Sequence, residues 1–395
     1  MQGGAMAISN KLVKCAILLS YLATVVFCDG GPKIFNVVDF GVKPGPNTDN
    51  AVNFIKAWRG ACDFGGMARL VFPKGEFYAT ETVFEGPCKA PIQVEIQGTI
   101  KAGSDISSYS DDFWISFEHV NGMNVFGPGT VDGNGPNVWK YKEKGTSMFP
   151  ISLKFMDCEH TLMKGITSVN PMGFHISIVK CNDVTATNMH LIAPDDSPNT
   201  DGFHISQSTN VGVFDSVVAT GDDCVGVIHG SMDIEVRRVT CGPGHGLSIG
   251  SLGKYDDEKM LKNVLIQNCT MTGTDNGARI KTYAGSLPSV AQNITFKDII
   301  MNNVENPILI DQFYGKKSGS PSKVQISNAQ FINIQGTTPT EAGVDIQCSK
   351  VVPCQGIRLS NIKLQYIGAK KEPFTSTCTN AKLTYDGPQT PPPCR

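Results

Sequence analysis

From about residue 160 to the C-terminus one short pattern recurs: two apolar residues two apart, a three-residue step, then usually two more. It reads Val184-Ala186-Met189-Leu191, Ile234-Val236-Val239-Cys241, Val264-Ile266-Cys269-Met271, Ile294-Phe296-Ile299-Met301, Val324-Ile326-Ala329-Phe331 and Ile357-Leu359-Ile362-Leu364. Weaker copies begin at Thr161 and Val211, and successive copies start 23 to 33 residues apart. Steps of this size mean stacked units, none of which can bury its apolar face alone. Within a copy the period is two, as in a strand, and the offset marks a corner. No helix separates the copies, and the Asn-Gly or Asp-Gly turns that a propeller or sandwich needs are scarce between them. The expected fold is all-β: a parallel β-helix, right-handed by general crossover chirality. One helix is legible in "TDNAVNFIKAWRGAC", where Ala51, Phe54, Ile55, Trp58, Ala61 and Cys62 form a single stripe. Thr48, Asp49 or Asn50 can cap it, and it is placed to cover the open N-terminal end of the solenoid.

The first residues are a processing signal. Lys11 and Lys14 precede the apolar run Cys15–Phe27, which is too short for a bilayer span of ~20 residues and suits a signal-peptide core. Residues 1–28 are therefore expected to be removed, leaving 29–395 as a single secreted, soluble β-helix domain. The formal net charge is −2, and losing the two lysines makes it −4. That balance gives no reason to expect a nucleic-acid partner, and a polyanionic ligand would have to be met by local cations. Of thirteen cysteines, eleven lie beyond residue 28, so at least one stays unpaired. Spacing suggests four clips: Cys62–Cys88, Cys224–Cys241, Cys348–Cys354 and Cys378–Cys394. Cys158, Cys181 and Cys269 remain as buried thiols. There is no C-x-x-C pair or His/Cys cluster, so neither a metal nor another cofactor is expected. Asn268-Cys-Thr270 and Asn293-Ile-Thr295 are sequons that fit an exported glycoprotein.

Between the apolar copies lie "SPNTDG" (197–202), "GDDC" (221–224), "CGPGHG" (241–246) and "ARIKT" (278–282). Each alone is a common turn or a solvated face; their register is what counts. Asp201, Asp223 and His245 follow one another at 22-residue steps. In coils of that length they form a column at ~4.8 Å per rung, with Asp222 beside it. Crowded carboxylates raise at least one pKa and so keep a proton available for donation. Arg279 and Lys281 share a strand face and supply a fork and a point charge for a carboxylate ligand. Tyr314 falls one long coil after Lys281. Asp215, Asp233 and Asp298 lack such alignment and read as surface charges, and His175 and His204 read as structural.

Taken in order, "SPNTDG", "GDDC", "CGPGHGLSIGSLG" and "RIKT" resemble the polygalacturonases, which hydrolyse α-1,4-linked galacturonic acid in pectin. The likeness runs from about residue 33 to the C-terminus. Through "SPNTDG", "NGARIKT" and "NPILIDQ" it is most similar to the plant exopolygalacturonases of pollen. The resemblance implies a right-handed β-helix and a metal-free, inverting hydrolysis. It makes Asp222 the general acid, Asp201 and Asp223 the bases, and His245 the group that tunes the acid. It also implies that Arg279, Lys281, Tyr314 and Asn199 contact the substrate. The implied enzyme is a monomer of the cell wall acting on polygalacturonate, most simply from the non-reducing end. The rival readings are an endo-acting enzyme, a Ca²⁺-dependent pectate lyase and a non-catalytic pectin-binding β-helix. "SLGKYDDEKMLK" and "YAGSLPSVAQ" are candidate walls of the cleft. The family usually has Ile-Ser-Ile-Gly or similar after "GDDC", where this chain has "VGVIHG", which bears on a neighbouring subsite.

Overall fold

The computed structural model describes residues 31–394, apart from 47, 145–148, 316–319 and 370–371. The expected signal segment lies outside the described residues. Every strand pairing among the described residues is parallel, and the strands stack into a right-handed β-helix. One face is an eleven-stranded sheet running in chain order from Thr82–Glu85 to Thr375–Thr379. The rest of the wall is a 21-stranded sheet in which longer strands alternate with short corner strands. A typical coil runs Met232–Arg237, turns into Thr240–Cys241, and crosses to Gly246–Leu252.

The offset in the sequence pattern is the corner. Asn188, Asp215, Arg238, Asn268, Asp298, Asn333 and Asn361 all occupy it, with φ between 50 and 55°. Asn and Asp tolerate this left-handed conformation because their short polar side chains bond locally. A second left-handed column, Asp183, Asn210, Asp233, Asn263, Asn293 and Asn328, is tied by side-chain hydrogen bonds. Asp215, Asp233 and Asp298 thus do more than decorate the surface: each sits at a corner and accepts a bond from the next coil.

The repeat is in register as expected for Thr161, Val184, Val211, Ile234, Val264 and Ile294. The copy begun at Val324 is out of phase. Ala329, not Val324, stands beside Ile294, and Ile357 follows it in register. Asn328 and Asn333 both make left-handed corners in one long strand, Val324–Thr338, and linear spacing does not distinguish the two. The coils also begin much earlier than residue 160: Lys33–Asn36 already pairs with Ala68–Phe72. Their corners use glycine, as at Gly98 and Gly127, which hides the apolar spacing.

The helix spans Ala51–Cys62 and caps the N-terminal end. Phe54 packs edge-on against Phe72 at 4.9 Å, and Trp58 meets Phe84 at 5.1 Å. Phe84, Phe117 and Phe155 continue as a ring column at 5.0 and 5.2 Å. Ile55 is only half-buried, and Ala57 takes the interior position instead. Asp49 receives the Ala51 N–H, while Asn50 turns inward to the carbonyls of Lys43 and Tyr78. All four expected disulfides are formed, and Cys158, Cys181 and Cys269 are free and buried. The Pro-rich tail follows the last strand, Ala381–Thr390, and is clipped to Cys378 through Cys394. Among the described residues no helix is long and apolar enough to cross a membrane.

Candidate active site

Two turns meet above the eleven-stranded face. Thr200 and Thr220 share a hydroxyl contact at 2.8 Å, and Ser197 joins them through Thr200 at 2.6 Å. Gly221 is required because any Cβ there would lie 2.1 Å from the Ser197 carbonyl oxygen. This staple sets the carboxylates of "NTDG" and "GDD" on adjacent coils, where the Gly202 N–H donates to the Asp223 carbonyl at 2.9 Å.

Asp223 is the buried anchor. Its Oδ1 accepts from Ser248 Oγ at 2.8 Å and from Arg279 Nη2 at 2.5 Å, and its Oδ2 accepts from Lys281 Nζ at 2.8 Å. Burial alone would push the carboxyl upward, but the charges of Lys281 and Arg279 and these hydrogen bonds outweigh it and hold the pKa at about 2. Arg279 is braced by its own Nε–H to Ser248 Oγ at 2.9 Å. Both cations are buried, so desolvation strengthens their pairing with the one carboxylate they touch. Only their remaining N–H groups are open to a ligand.

Asp201 stands in the opposite electrostatic state. Burial raises its pKa to about 6 despite a 2.9 Å bond to His204 Nδ1, with Asp222 and Asp223 adding repulsion. The raised pKa expected from crowded carboxylates is thus found on Asp201, with burial and not crowding as its main cause. His204 is stacked on Phe174 at 4.4 Å, so its ring orientation is fixed. Between Asp201 and Asp223 lies Gly226, where a Cβ would meet their Oδ2 atoms at 3.5 and 3.7 Å. Gly226 lies on the same strand as Asp223, and its lack of a side chain keeps the space between the two carboxylates open on that side.

Asp222 reaches further into the open, with 20% of its side chain exposed. His245 does not stack on Asp223 as the 22-residue spacing predicted. Gly246 takes that register position, and the His245 N–H donates to the Asp222 carbonyl at 2.8 Å. A shift in register next to Asp223 adds one residue to this coil. The imidazole consequently pairs with the Asp222 carboxyl, Nδ1 to Oδ1 at 2.9 Å. That bond is the main cause of a raised His245 pKa, opposed by partial burial.

Tyr314 pairs in register with Tyr283 rather than following Lys281, whose partner is Asp311. It still reaches the site, since Lys281 Nζ lies 5.4 Å from its ring centre. Asn199 has φ 55° and is exposed on its turn, making no side-chain bond to the carboxylates. The two expected wall segments converge: Gly253, Lys254 and Asp256 face Tyr283, Ser286 and Leu287 across a cleft of about 670 Å³ that includes Tyr314.

Sequence reasoning missed Ser248, which bridges Asp223 and Arg279, and Asp275, whose Oδ2 lies 3.4 Å from His245 Nε2. Asp275 follows His245 by a 30-residue coil step, a signal present in the sequence. His204, expected to be structural, touches Asp201. His175 is fully buried and bonded to Ser168 Oγ at 2.8 Å, and burial lowers its pKa to about 3.

Asp222, Asp223 and His245 present donor atoms within 4.8 Å of one another. A metal ion would have to displace Arg279 and Lys281 from Asp223 and separate Asp222 from His245, so this donor set fits a proton-transfer site better than a metal site.

The chain aligns at 43% identity over 377 residues, 92% of this chain and 89% of the relative, with an exopolygalacturonase of Arabidopsis thaliana. It is 40% identical over 367 residues to an exopolygalacturonase of Platanus acerifolia, covering 91% of this chain and 97% of that one. Among solved structures, an exopolygalacturonase from Thermotoga maritima superposes with a TM-score of 0.76 at 19% identity, covering 90% of this chain and 91% of that one. That likeness speaks to the fold. Residues 62–387 match the model of the glycosyl hydrolases family 28, and this protein belongs to that family.

Proposed function

We propose that the protein hydrolyses the α-1,4-galacturonosyl linkages of polygalacturonate, releasing galacturonic acid from the non-reducing end with inversion. The observation that carries this reading is the division of labour among three carboxylates on two adjacent coils. Asp223 is held ionised by Arg279 and Lys281, Asp201 is pushed up to about 6, and Asp222 is left open to the cleft on His245. Asp222 donates a proton to the glycosidic oxygen as the bond to the anomeric carbon breaks. Water, held over Gly226 between Asp201 and Asp223, attacks that carbon and loses a proton. Asp201, raised to about 6, is the more basic of the two and accepts the proton, while the feebly basic Asp223 orients the water. His245, bonded through Nδ1 to Asp222 Oδ1 at 2.9 Å, tunes the acid and holds its carboxyl in place. The free N–H groups of Arg279 and Lys281, with Tyr314 and Asn199, receive the galacturonate carboxylate and ring, favouring the acid over its neutral methyl ester.

The direct test is release of reducing sugar from polygalacturonate, with Asp222→Asn expected to abolish it. Unchanged release by that variant overturns the assignment, and an unsaturated, UV-absorbing product lost on adding a chelator would make the enzyme a lyase. Proton NMR of the first-formed product should show the β-anomer.

Export to the cell wall as a monomeric glycoprotein completes the reading. The disulfides and the plant relatives support the export, and the N-terminal sequence of the secreted protein is its check. The likeness to pollen enzymes supports a pollen setting, which transcript profiling across tissues tests.

A further inference from the structure

The cleft of about 670 Å³ begins at Tyr314, which it shares with the site above, and runs on between two wall segments. One of its walls is the segment that begins at Gly253. The Glu258 carboxylate accepts the N–H groups of Gly253, Lys254 and Tyr255, which fixes that turn from beneath. The other wall starts at Tyr283, where Ser286 Oγ bonds Ser322 Oγ at 3.1 Å and accepts the Lys323 N–H at 2.8 Å. The walls touch where Gly253, at φ +83°, leaves room for Ser286; a Cβ on Gly253 would fall 2.3 Å from the Ser286 Cβ. Both segments are thus held in place before any ligand arrives.

Lys254 is the cation among the residues lining this cleft, and no carboxylate among the described residues lies within ion-pair distance of it. Its ammonium rests 5.2 Å from the Tyr255 ring. Tyr283 and Tyr314 stand edge to face at 5.2 Å on adjacent coils, and Tyr314 in turn borders Lys281. Asp223, Lys281, Tyr314 and Tyr283 follow one another by contact, and Lys254 lines the same cleft as the two tyrosines.

We infer that Lys254, with Tyr283 and Tyr314, forms a second carboxylate-binding subsite that takes a galacturonate unit of the same chain beyond the one held at Arg279 and Lys281. The ammonium meets the carboxylate of that unit, and the two rings offer apolar faces and edges to its pyranose. This inference rests on the hydrolytic reading above. Asp256 lines the same cleft and opposes an anion there, so its removal should have the reverse effect to that of Lys254.

The test uses galacturonate oligomers of two to five units, with kcat/KM measured for each and binding measured by calorimetry in the Asp222→Asn protein. In the wild type kcat/KM should climb when the added unit reaches the subsite. Lys254→Gln should reduce that climb by roughly three- to tenfold, the range of a partly exposed charged hydrogen bond. Lys254→Arg should restore most of it, and Asp256→Asn should enlarge it. Replacing the carboxylate of the added unit by a methyl ester should erase the difference between wild type and Lys254→Gln. An unaltered length profile in Lys254→Gln, with the wild type active, overturns the subsite alone. If the wild type binds oligomers through Lys254 without cutting them, the subsite stands and the hydrolytic reading falls. No oligomer binding at all sinks both.

Discussion

Asp222 and Asp223 are neighbours in sequence with opposite surroundings, and their roles follow from that difference. The register shift between Asp223 and Val225 turns Asp223 onto Arg279 and Lys281 and leaves Asp222 at the cleft edge. Removing one counter-charge should therefore be costly. Lys281→Met leaves a buried carboxylate with one cation, and the expected loss is about 3 to 5 kcal/mol by chemical denaturation at neutral pH. Because Asp223 is depressed to about 2 from 3.8, its contribution to stability is present above pH 3.8 and is lost as pH falls through about 2. Asp201 has the reverse sign: raised from 3.8 to about 6, it favours the fold below pH 3.8 and loses that contribution as pH rises through about 6. Asp201→Asn should thus lose activity yet melt at a higher temperature than wild type at pH 7. An unchanged or lower melting temperature contradicts the assignment. As the base must be ionised, activity should rise with pH along an acid limb near 6, governed by Asp201 with His204, Asp222 and Asp223 facing it. These residue types and their order were readable in the sequence. Which carboxylate carries the raised pKa was not, because it depends on burial and on His204, three residues along the same strand entry.

Strands and corners were the most legible level, since the period of two and the left-handed Asn or Asp are local properties of the chain. They misled once, at Val324, where Asn328 and Asn333 offered two corners and only pairing with Ile294 and Ile299 selects between phases. The helix was legible as an amphipathic stripe, and its job is to plug the first coils with aromatic rings. Trp58→Ala should cost about 3 to 5 kcal/mol, read as a lower denaturation midpoint, because Phe84 and Phe117 lose the ring they pack against. The corner columns also separate the two sequons. Asn293 Nδ2 donates to Asn263 at 3.0 Å within the ladder, whereas Asn268 is exposed and makes no side-chain hydrogen bond. We expect the glycan on Asn268, so that Asn268→Gln lowers the mass of the secreted protein and Asn293→Gln does not.

At the scale of the whole molecule the question is where a polymer enters and how it leaves. The insertions after Gly250 and after Thr282 stand on neighbouring coils and close over Tyr314, so the cleft is walled on that side. For an enzyme cutting at chain ends, galacturonic acid should be the sole early product, and viscosity should fall slowly relative to the appearance of reducing ends. Mixed oligomers with a rapid fall in viscosity would make it an endo-acting enzyme. The Cys224–Cys241 clip joins the coil bearing the two acids to the next corner, so reduction of the unfolded chain should slow recovery of activity more than recovery of secondary structure.

The sequence by itself determined the solenoid, because repeat length, strand period and corner residues are short-range properties that each coil states again. It also determined which four motifs face one another, since equal spacing becomes stacking once coils are of similar length. Only the tertiary structure decided the pairing within that cluster. A single added residue beside Asp223 moved His245 onto Asp222, Ser248 joined Asp223 to Arg279, and Asp275 arrived from the following coil. A shift of one residue changes which side chain faces which, and nothing in the linear spacing reports it. The protonation states follow from that register and from burial, and both exist only when the coils are stacked.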